Sequence, residues 1–216
     1  MEPKAKLILL DGRQRRELTQ PDLIRMRLPK LFWNTSFEMV RPVDSDHYRI
    51  VGRFMGKIVE MVEGGVGLYL YGDNGVGKSA LASLVLKEAR RWGFSCLFLR
   101  TERLRSAKLD GEQFDDASTV FGRAQRVDML VLDDLGKEFR GDKSAFTDRL
   151  LEDVIRERIS QKRSLIITSN LHKSMITDVY PESIGRVIRT SVFPVPVGGC
   201  SYRTAEADAL KRMLTD

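Results

Sequence analysis

Residues 72–79 read Gly-Asp-Asn-Gly-Val-Gly-Lys-Ser, so glycines, a lysine and a serine fall at the spacing G-x-x-x-x-G-K-S. That spacing is the phosphate-binding P-loop, and each position has a mechanical reason. Gly72, Gly75 and Gly77 let the backbone fold so tightly that successive N–H groups converge on one anion. Lys78 reaches the β- and γ-phosphates of a nucleotide, and Ser79 offers a hydroxyl ligand to Mg²⁺. A helix beginning around Lys78 adds its N-terminal dipole to the same phosphates. The candidate nucleotide contacts are therefore Gly72, Asp73, Asn74, Gly75, Val76, Gly77, Lys78, Ser79 and Ala80. Context argues against a chance glycine-rich turn. An apolar strand at 66–71 precedes the loop, and Leu81, Leu84, Val85 and Ala89 mark one face of a helix over 78–92 that stops at Gly93.

A second set of oxygens lies about 55 residues after the P-loop, where Met129-Leu-Val-Leu132 runs into Asp133-Asp134. An apolar run of this kind fits a strand buried on both faces. Its carboxyl end would sit beside the phosphates, because ligands of open α/β sheets bind there. Asp133 would hold Mg²⁺, and Asp134 is placed to orient and deprotonate an attacking water. Without the P-loop, a strand ending in an acidic turn would be the simpler account. The strand Leu165-Ile-Ile-Thr168 similarly ends in Ser169-Asn170. The Asn170 amide could bond the attacking water or the γ-phosphate, or it could be an ordinary turn residue.

These groups need a sheet to bring them together, and the chain supplies one. Strands at 66–71, 94–99, 128–133 and 165–169 alternate with helical stretches, one of them capped by Ser144 and running to about Gln161. The alternation predicts parallel strands with helices on both faces. A short helix around 182–189 and a strand over Val192–Val197 follow, and the tail from Thr204 reads as a short final helix. Upstream, a helix capped by Asp46 carries Ile50, Val51, Phe54, Met55, Ile58, Val59 and Val62 on one face and ends at Gly64-Gly65. Leu31 to Asp44 reads as an extended lead-in. Residues 1–27 form a basic arm with Arg13, Arg15, Arg16, Arg25 and Arg27, and a short helix is expected from Gln20-Pro21-Asp22.

Composition sets bounds. The chain has 216 residues, 42% hydrophobic and 31% charged, enough for one large domain with a real core. The net charge of +6 leans toward nucleic acid but also suits a generic basic surface. Cys96 and Cys200 form no C-x-x-C pair, which argues against zinc or a disulfide framework. Cys96 fits a buried strand. His47 and His172 are isolated and read as cap or surface residues. No apolar run reaches membrane-spanning length, and no secretory leader opens the chain, so a cytoplasmic, reducing compartment and no membrane partner are expected.

Taken together, these residues resemble AAA+ ATPases of the DnaC/IstB type, bacterial replicative-helicase loaders and the ATPase subunits of certain transposition systems. The resemblance covers roughly residues 27–203. It rests on Leu28-Pro-Lys-Leu-Phe-Trp-Asn-Thr-Ser-Phe37-Glu, the P-loop, Leu-Val-Leu-Asp-Asp-Leu-Gly136, Ile166-Ile-Thr-Ser-Asn170-Leu, Gly185-Arg186 and Ser201-Tyr-Arg203. It implies an α/β P-loop (AAA+) fold over residues 28–216 with a reduced or absent lid. It implies an ATPase using ATP and Mg²⁺, with Asp133 and Ser79 as metal ligands. It makes Asn170 the sensor-1 residue. It also makes Arg186 a finger reaching the ATP of the neighbouring subunit, with Arg189 as competitor, and Arg203 a sensor-2-like contact to the γ-phosphate. A finger supplied in trans implies an ATP-dependent homo-oligomer assembled head to tail. Asp134 stands where many ATPases carry Glu, and its shorter reach suggests slow hydrolysis.

The resemblance also implies contact with single-stranded DNA in a central channel. Two stretches have the chemistry: Lys137, Phe139, Arg140 and Lys143 after the acidic strand, and Arg103, Arg105 and Lys108 after the second strand. Cations neutralise phosphates and an aromatic among them can stack on a base, although both stretches could be solvated loops. The leading expectation is a helicase loader that places a replicative helicase on single-stranded DNA. The alternatives are a transposase partner acting on duplex DNA, and a nucleotide-regulated binding module with negligible turnover. A metabolic P-loop kinase is disfavoured, because no acceptor pocket or arginine-rich lid is visible.

Overall fold

Five short apolar runs pair side by side, all parallel. In this computed structural model, which describes residues 9–10, 13–40, 45–104, 119–136 and 145–199, they are β3 (Gly67–Tyr71), β4 (Cys96–Arg100), β5 (Met129–Leu135), β6 (Ser164–Ser169) and β7 (Val192–Pro196). A two-residue antiparallel pair, β1 (Leu9–Leu10) and β2 (Arg13–Gln14), precedes them. The sheet order is β4-β5-β6-β3-β7. Helices Lys78–Arg91, Val120–Arg126, Ala145–Ser160 and Glu182–Ser191 make the crossovers.

The strands read as continuous apolar runs because both sheet faces are covered. Leu68, Leu70, Met129, Val131 and Ile166 pack with Leu81, Val85 and Ala89 of the P-loop helix and with Phe54 and Val59. On the other face, Tyr69, Leu130, Leu132, Leu165 and Ile167 pack with Leu151, Val154, Ile155, Ile184 and Ile188. The period-2 alternation along each strand thus sorts neighbours into two cores.

The sheet's edges are finished differently. Beyond β4, the Phe98 N–H donates to the Met26 carbonyl at 2.7 Å, so the chain before the lead-in lies along that edge. At the opposite edge, the Val197 N–H donates to the Tyr71 carbonyl at 2.7 Å. Alternation then turns positions 194 and 196 outward, and both are proline.

Residues 13–28 are tied to the back of the P-loop helix. Asp22, 4% exposed, accepts both Arg16 Nη atoms at 2.7 and 2.8 Å and Arg90 Nε and Nη2 at 3.0 and 2.8 Å. Glu88 accepts a two-pronged contact from Arg15, 2.7 and 3.0 Å, with Arg91 and the Trp92 indole beside it. The Arg16 hydrogen bonds, helped by Thr19 and Arg90, hold the Asp22 carboxyl far below its ordinary 3.8. A depressed folded pKa stabilises above the unfolded value and is lost as pH falls through and below it. Wild-type thermal stability should therefore drop between about pH 5 and pH 3, and Asp22→Asn should flatten that acid limb. Melting curves across this window check it; an unchanged slope in the variant would refute the assignment.

Among the described residues Arg158 is the largest wholly buried side chain, 0% exposed. Its Nη1 donates to the Ala124 and Val127 carbonyls, each 2.8 Å, and its Nη2 to those of Asp128 and Ser164 at 3.1 and 2.6 Å. One guanidinium thereby closes the C-terminus of helix Val120–Arg126 and joins the chain entering β5 to the start of β6. Burial pushes its pKa down to about 9.

Four local expectations are corrected. The upstream helix is capped by Ser45, whose hydroxyl accepts the Tyr48 N–H, and not by Asp46, which occupies the first helical position. It is also two helices, Asp46–Gly56 and Ile58–Glu63, because Lys57 leaves helical geometry (φ −117°, ψ 28°) just after a glycine that weakens the turn. The lead-in is not extended: Lys30–Phe32 and Phe37–Met39 are 3₁₀ turns, fixed by i→i+3 bonds. His47 is 5% exposed and bonds the Ser45 hydroxyl at 2.9 Å, so it is neither a cap nor a surface residue. Cys96 is buried in β4, as the apolar run requires.

Candidate nucleotide site

The carboxyl ends of β3, β5 and β6 open on one cavity of about 370 Å³. The P-loop, Asp134 and Asn170 line one side, and residues from 31 to 40 line the other. Gly72 lets β3 turn into the loop. Its φ is +145°, and a Cβ there would meet the Val197 carbonyl oxygen at 2.1 Å, so both the dihedral and the approach demand glycine. Gly75 and Gly77 also have positive φ, 84° and 96°, and Gly77 is the N-cap of helix Lys78–Arg91.

Lys78, 6% exposed, donates to the Gly72 and Asp73 carbonyls at 2.7 and 2.6 Å and to Asn170 Oδ1 at 2.9 Å. Asn170 Nδ2 in turn donates to Asn74 Oδ1 at 2.9 Å. The amide at the end of β6 is therefore already in the ammonium's coordination sphere. A phosphate oxygen arriving at Lys78 competes with the Asn170 oxygen, which couples the two residues. The turn carrying Asn170 is fixed by Ser169, whose hydroxyl donates to the Leu135 carbonyl and accepts the Leu171 N–H, and by Tyr69 Oη donating to the Leu171 carbonyl.

Asp133 is 3% exposed and accepts the Thr168 hydroxyl at 2.7 Å; the Ser79 hydroxyl also bonds it. Burial pushes its carboxyl up, and the two hydroxyls and Arg100 only partly offset this. A buried carboxylate beside a serine hydroxyl is an all-oxygen donor pair suited to a hard cation that brings phosphate oxygens with it. Among the described residues no cluster of three His, Cys, Asp or Glu could hold a metal unaided. Asp134 reaches the cavity through an irregularity. The β5–β6 register shifts between Leu132 and Leu135, and Asp134 sits at φ 64° with its N–H donated to Thr168 Oγ1 at 2.9 Å. Two successive strand residues would otherwise face opposite ways.

Sequence reasoning missed the far wall. Leu31, Phe32, Asn34, Thr35, Met39 and Val40 face the P-loop across the cavity. Leu31 and Met39 are 77% and 60% exposed, large apolar side chains at a cavity mouth. The only sequence signal was an apolar-rich lead-in of no clear period.

The chain matches the family described as IstB-like ATP binding protein over residues 11–203. It belongs to that family. An ATP-binding protein ascribed to insertion sequence IS1162 of Pseudomonas fluorescens is 39% identical over 115 residues, 50% of this chain and 45% of that protein; the match thus spans under half of the relative's length. Among solved structures, DnaI is similar with TM-score 0.67 and 24% identity over 80% of this chain and 96% of that one. The DnaC helicase loader follows with TM-score 0.64 and 24% identity, 79% and 100% covered. At this identity the likeness establishes the fold, and the fold of this IstB-like protein is the P-loop AAA+ α/β architecture expected from the sequence.

Of the remaining candidates in the IstB-like chain, the described ones, Arg103, Arg186 and Arg189, do not line the cavity. Arg186 projects from helix Glu182–Ser191 with its side chain 72% exposed and only a 4.0 Å approach to Glu182. Arg189 is held on the same Glu182 at 3.1 Å and is 32% exposed. Gly185 seats this helix: a Cβ there would meet Thr177 Cγ2 at 2.5 Å. Arg103 is exposed just beyond β4. Arg105, Lys108, Lys137, Phe139, Arg140, Lys143, Arg203, the Ser144 cap and the tail from Thr204 lie outside the described residues. Among the described residues no helix is long and apolar enough to cross a membrane.

Proposed function

We propose that this IstB-like protein is a slow, DNA-stimulated ATPase that acts as the assembly switch of a transposition system. The observation that carries the nucleotide part is the meeting of Lys78, the Ser79–Asp133 pair, Asp134 and Asn170 at one cavity. The relation to an insertion-sequence ATP-binding protein favours a transposase as partner.

In this proposal the glycine-rich loop and Lys78 hold the triphosphate, and the wall from Leu31 to Val40 takes the base. Ser79 and Asp133 hold Mg²⁺, which when bound neutralises charge on the phosphate oxygens. Asp134 accepts the proton of the attacking water while Asn170 orients that water, giving ADP and phosphate. Arg186 completes the site of a neighbouring subunit, with Arg203 contacting the γ-phosphate from its own. Residues 1–27 are the partner-binding element of the ATPase domain of 28–216, with 13–27 packed against that domain. Lys137, Arg140 and Lys143, together with Arg103, Arg105 and Lys108, contact the DNA backbone, Phe139 stacks on a base, and the reaction runs in the cytoplasm.

A second proposal is a helicase loader on single-stranded DNA, favoured by the fold shared with the DnaC helicase loader. Light scattering of the protein with non-hydrolysable ATP separates the two. Growth into a large assembly on duplex DNA supports the transposition switch, and growth only on poly-dT supports the loader. A protein that stays monomeric with every nucleotide and DNA would sink both.

A further inference from the structure

Lys87 is a buried cation with no carboxylate facing it among the described residues. It is 4% exposed and lies on the P-loop helix Lys78–Arg91. Its ammonium donates to the backbone carbonyls of Phe32 at 3.0 Å, Trp33 at 3.3 Å and Thr35 at 2.5 Å. Those three carbonyls belong to the segment that brings Leu31, Phe32, Asn34 and Thr35 to the cavity. The helix carrying Lys87 starts with the phosphate-binding Lys78 and Ser79. One rigid element therefore holds the phosphate groups at its N-terminus and the opposite wall through a side chain nearer its C-terminus.

A lysine is suited to this task. Its ammonium has three donors and no acceptor, so it can satisfy three carbonyls at once. The segment from 30 to 35 has one 3₁₀ turn, with Phe32 and Trp33 packed on the core and Trp33 Nε1 donating back to the Leu28 carbonyl at 2.9 Å, and Lys87 is the side chain that satisfies three of its carbonyls. Burial, with Arg91 nearby, pushes the Lys87 pKa down to about 8, so the charge is retained at a desolvation cost. A residue needed only to fill space there would be apolar.

We propose that Lys87 is a positioning residue for the base-side wall of the nucleotide site, locking residues 32–35 to the P-loop helix so that the site recognises the nucleoside as well as the phosphates. This rests on the proposed ATPase function. It assigns Lys87 no contact with the ligand; the residue acts through the segment it holds.

The test compares Mg·ATP with Mg·tripolyphosphate, which has the phosphates and no base. The wild type should bind ATP more tightly than tripolyphosphate. Lys87→Met should weaken ATP about tenfold, the scale expected for losing hydrogen bonds from a charged group, and leave tripolyphosphate within about twofold. KM for ATP should rise while kcat at saturation stays close to wild type. Lys87→Gln, with two amide donors, should fall between, and it serves alone should Lys87→Met fail to fold. Equal losses on both ligands would reduce Lys87 to a general stabiliser and overturn the proposal, as would an unchanged ratio in both variants. A wild type that binds neither ligand would overturn the ATPase function itself. A wild type that binds both equally would keep a phosphate site and refute only the base-side wall.

Discussion

Arg186→Ala should leave ATP binding close to wild type and lower turnover by about a thousandfold, the scale by which arginine fingers act. The exposed guanidinium lies on a helix none of whose residues lines its own cavity, with only a 4.0 Å approach to Glu182. Arg189, closed onto Glu182 at 3.1 Å, would have to break that pair before reaching another subunit. Arg189→Ala should therefore cost far less. Mixing gives the sharper readout. A Lys78→Ala subunit has no working phosphate site but still presents Arg186, and an Arg186→Ala subunit has the converse. Equimolar mixtures should regain turnover that neither variant has alone. If every mixture stays inactive while both variants still assemble, the finger does not act in trans. If Arg189→Ala reproduces the full loss, the assignment moves to that residue.

Arg158→Met should be the most damaging single change to stability, about 3–5 kcal/mol. The substitution keeps much of the volume but removes the donors to four buried carbonyls, of Ala124, Val127, Asp128 and Ser164. Each buried carbonyl left without a partner costs roughly 1–3 kcal/mol, and relaxation recovers part of the sum. Arg158→Lys should recover only part, since one ammonium cannot match a planar fork aimed at four acceptors. The urea midpoint should fall in the order wild type, Arg158→Lys, Arg158→Met at similar slope. A Met variant as stable as wild type would mean that these carbonyls find other donors.

Why Arg158 escaped the sequence reading is instructive. A guanidinium that solvates backbone groups leaves no trace in hydrophobic periodicity, and among the other charges of its helix it looks like a surface residue. Lys87 hides in the same way. The strands and the P-loop were legible because their causes are local: β-branched and apolar runs demand burial, and glycine at fixed offsets permits one loop geometry. Asp133 and Asn170 were legible through their place at strand ends. The lead-in was not, since its 3₁₀ turns carry no period and the carbonyls of Phe32, Trp33 and Thr35 are satisfied by Lys87, some fifty residues away. Ser45 and Asp46 are both good caps, so only coordinates could choose between them. The positive φ of Asp134 arises from register with β6, a non-local constraint.

The two sheet edges carry one more consequence. Along β7 the outward positions 194 and 196 are prolines without an N–H, and on β4 the Phe98 N–H is already given to Met26. Neither border offers the unbroken row of free donors that an incoming strand requires. Edge-to-edge pairing between copies of this chain, the route to amyloid-like growth, is therefore disfavoured at both borders.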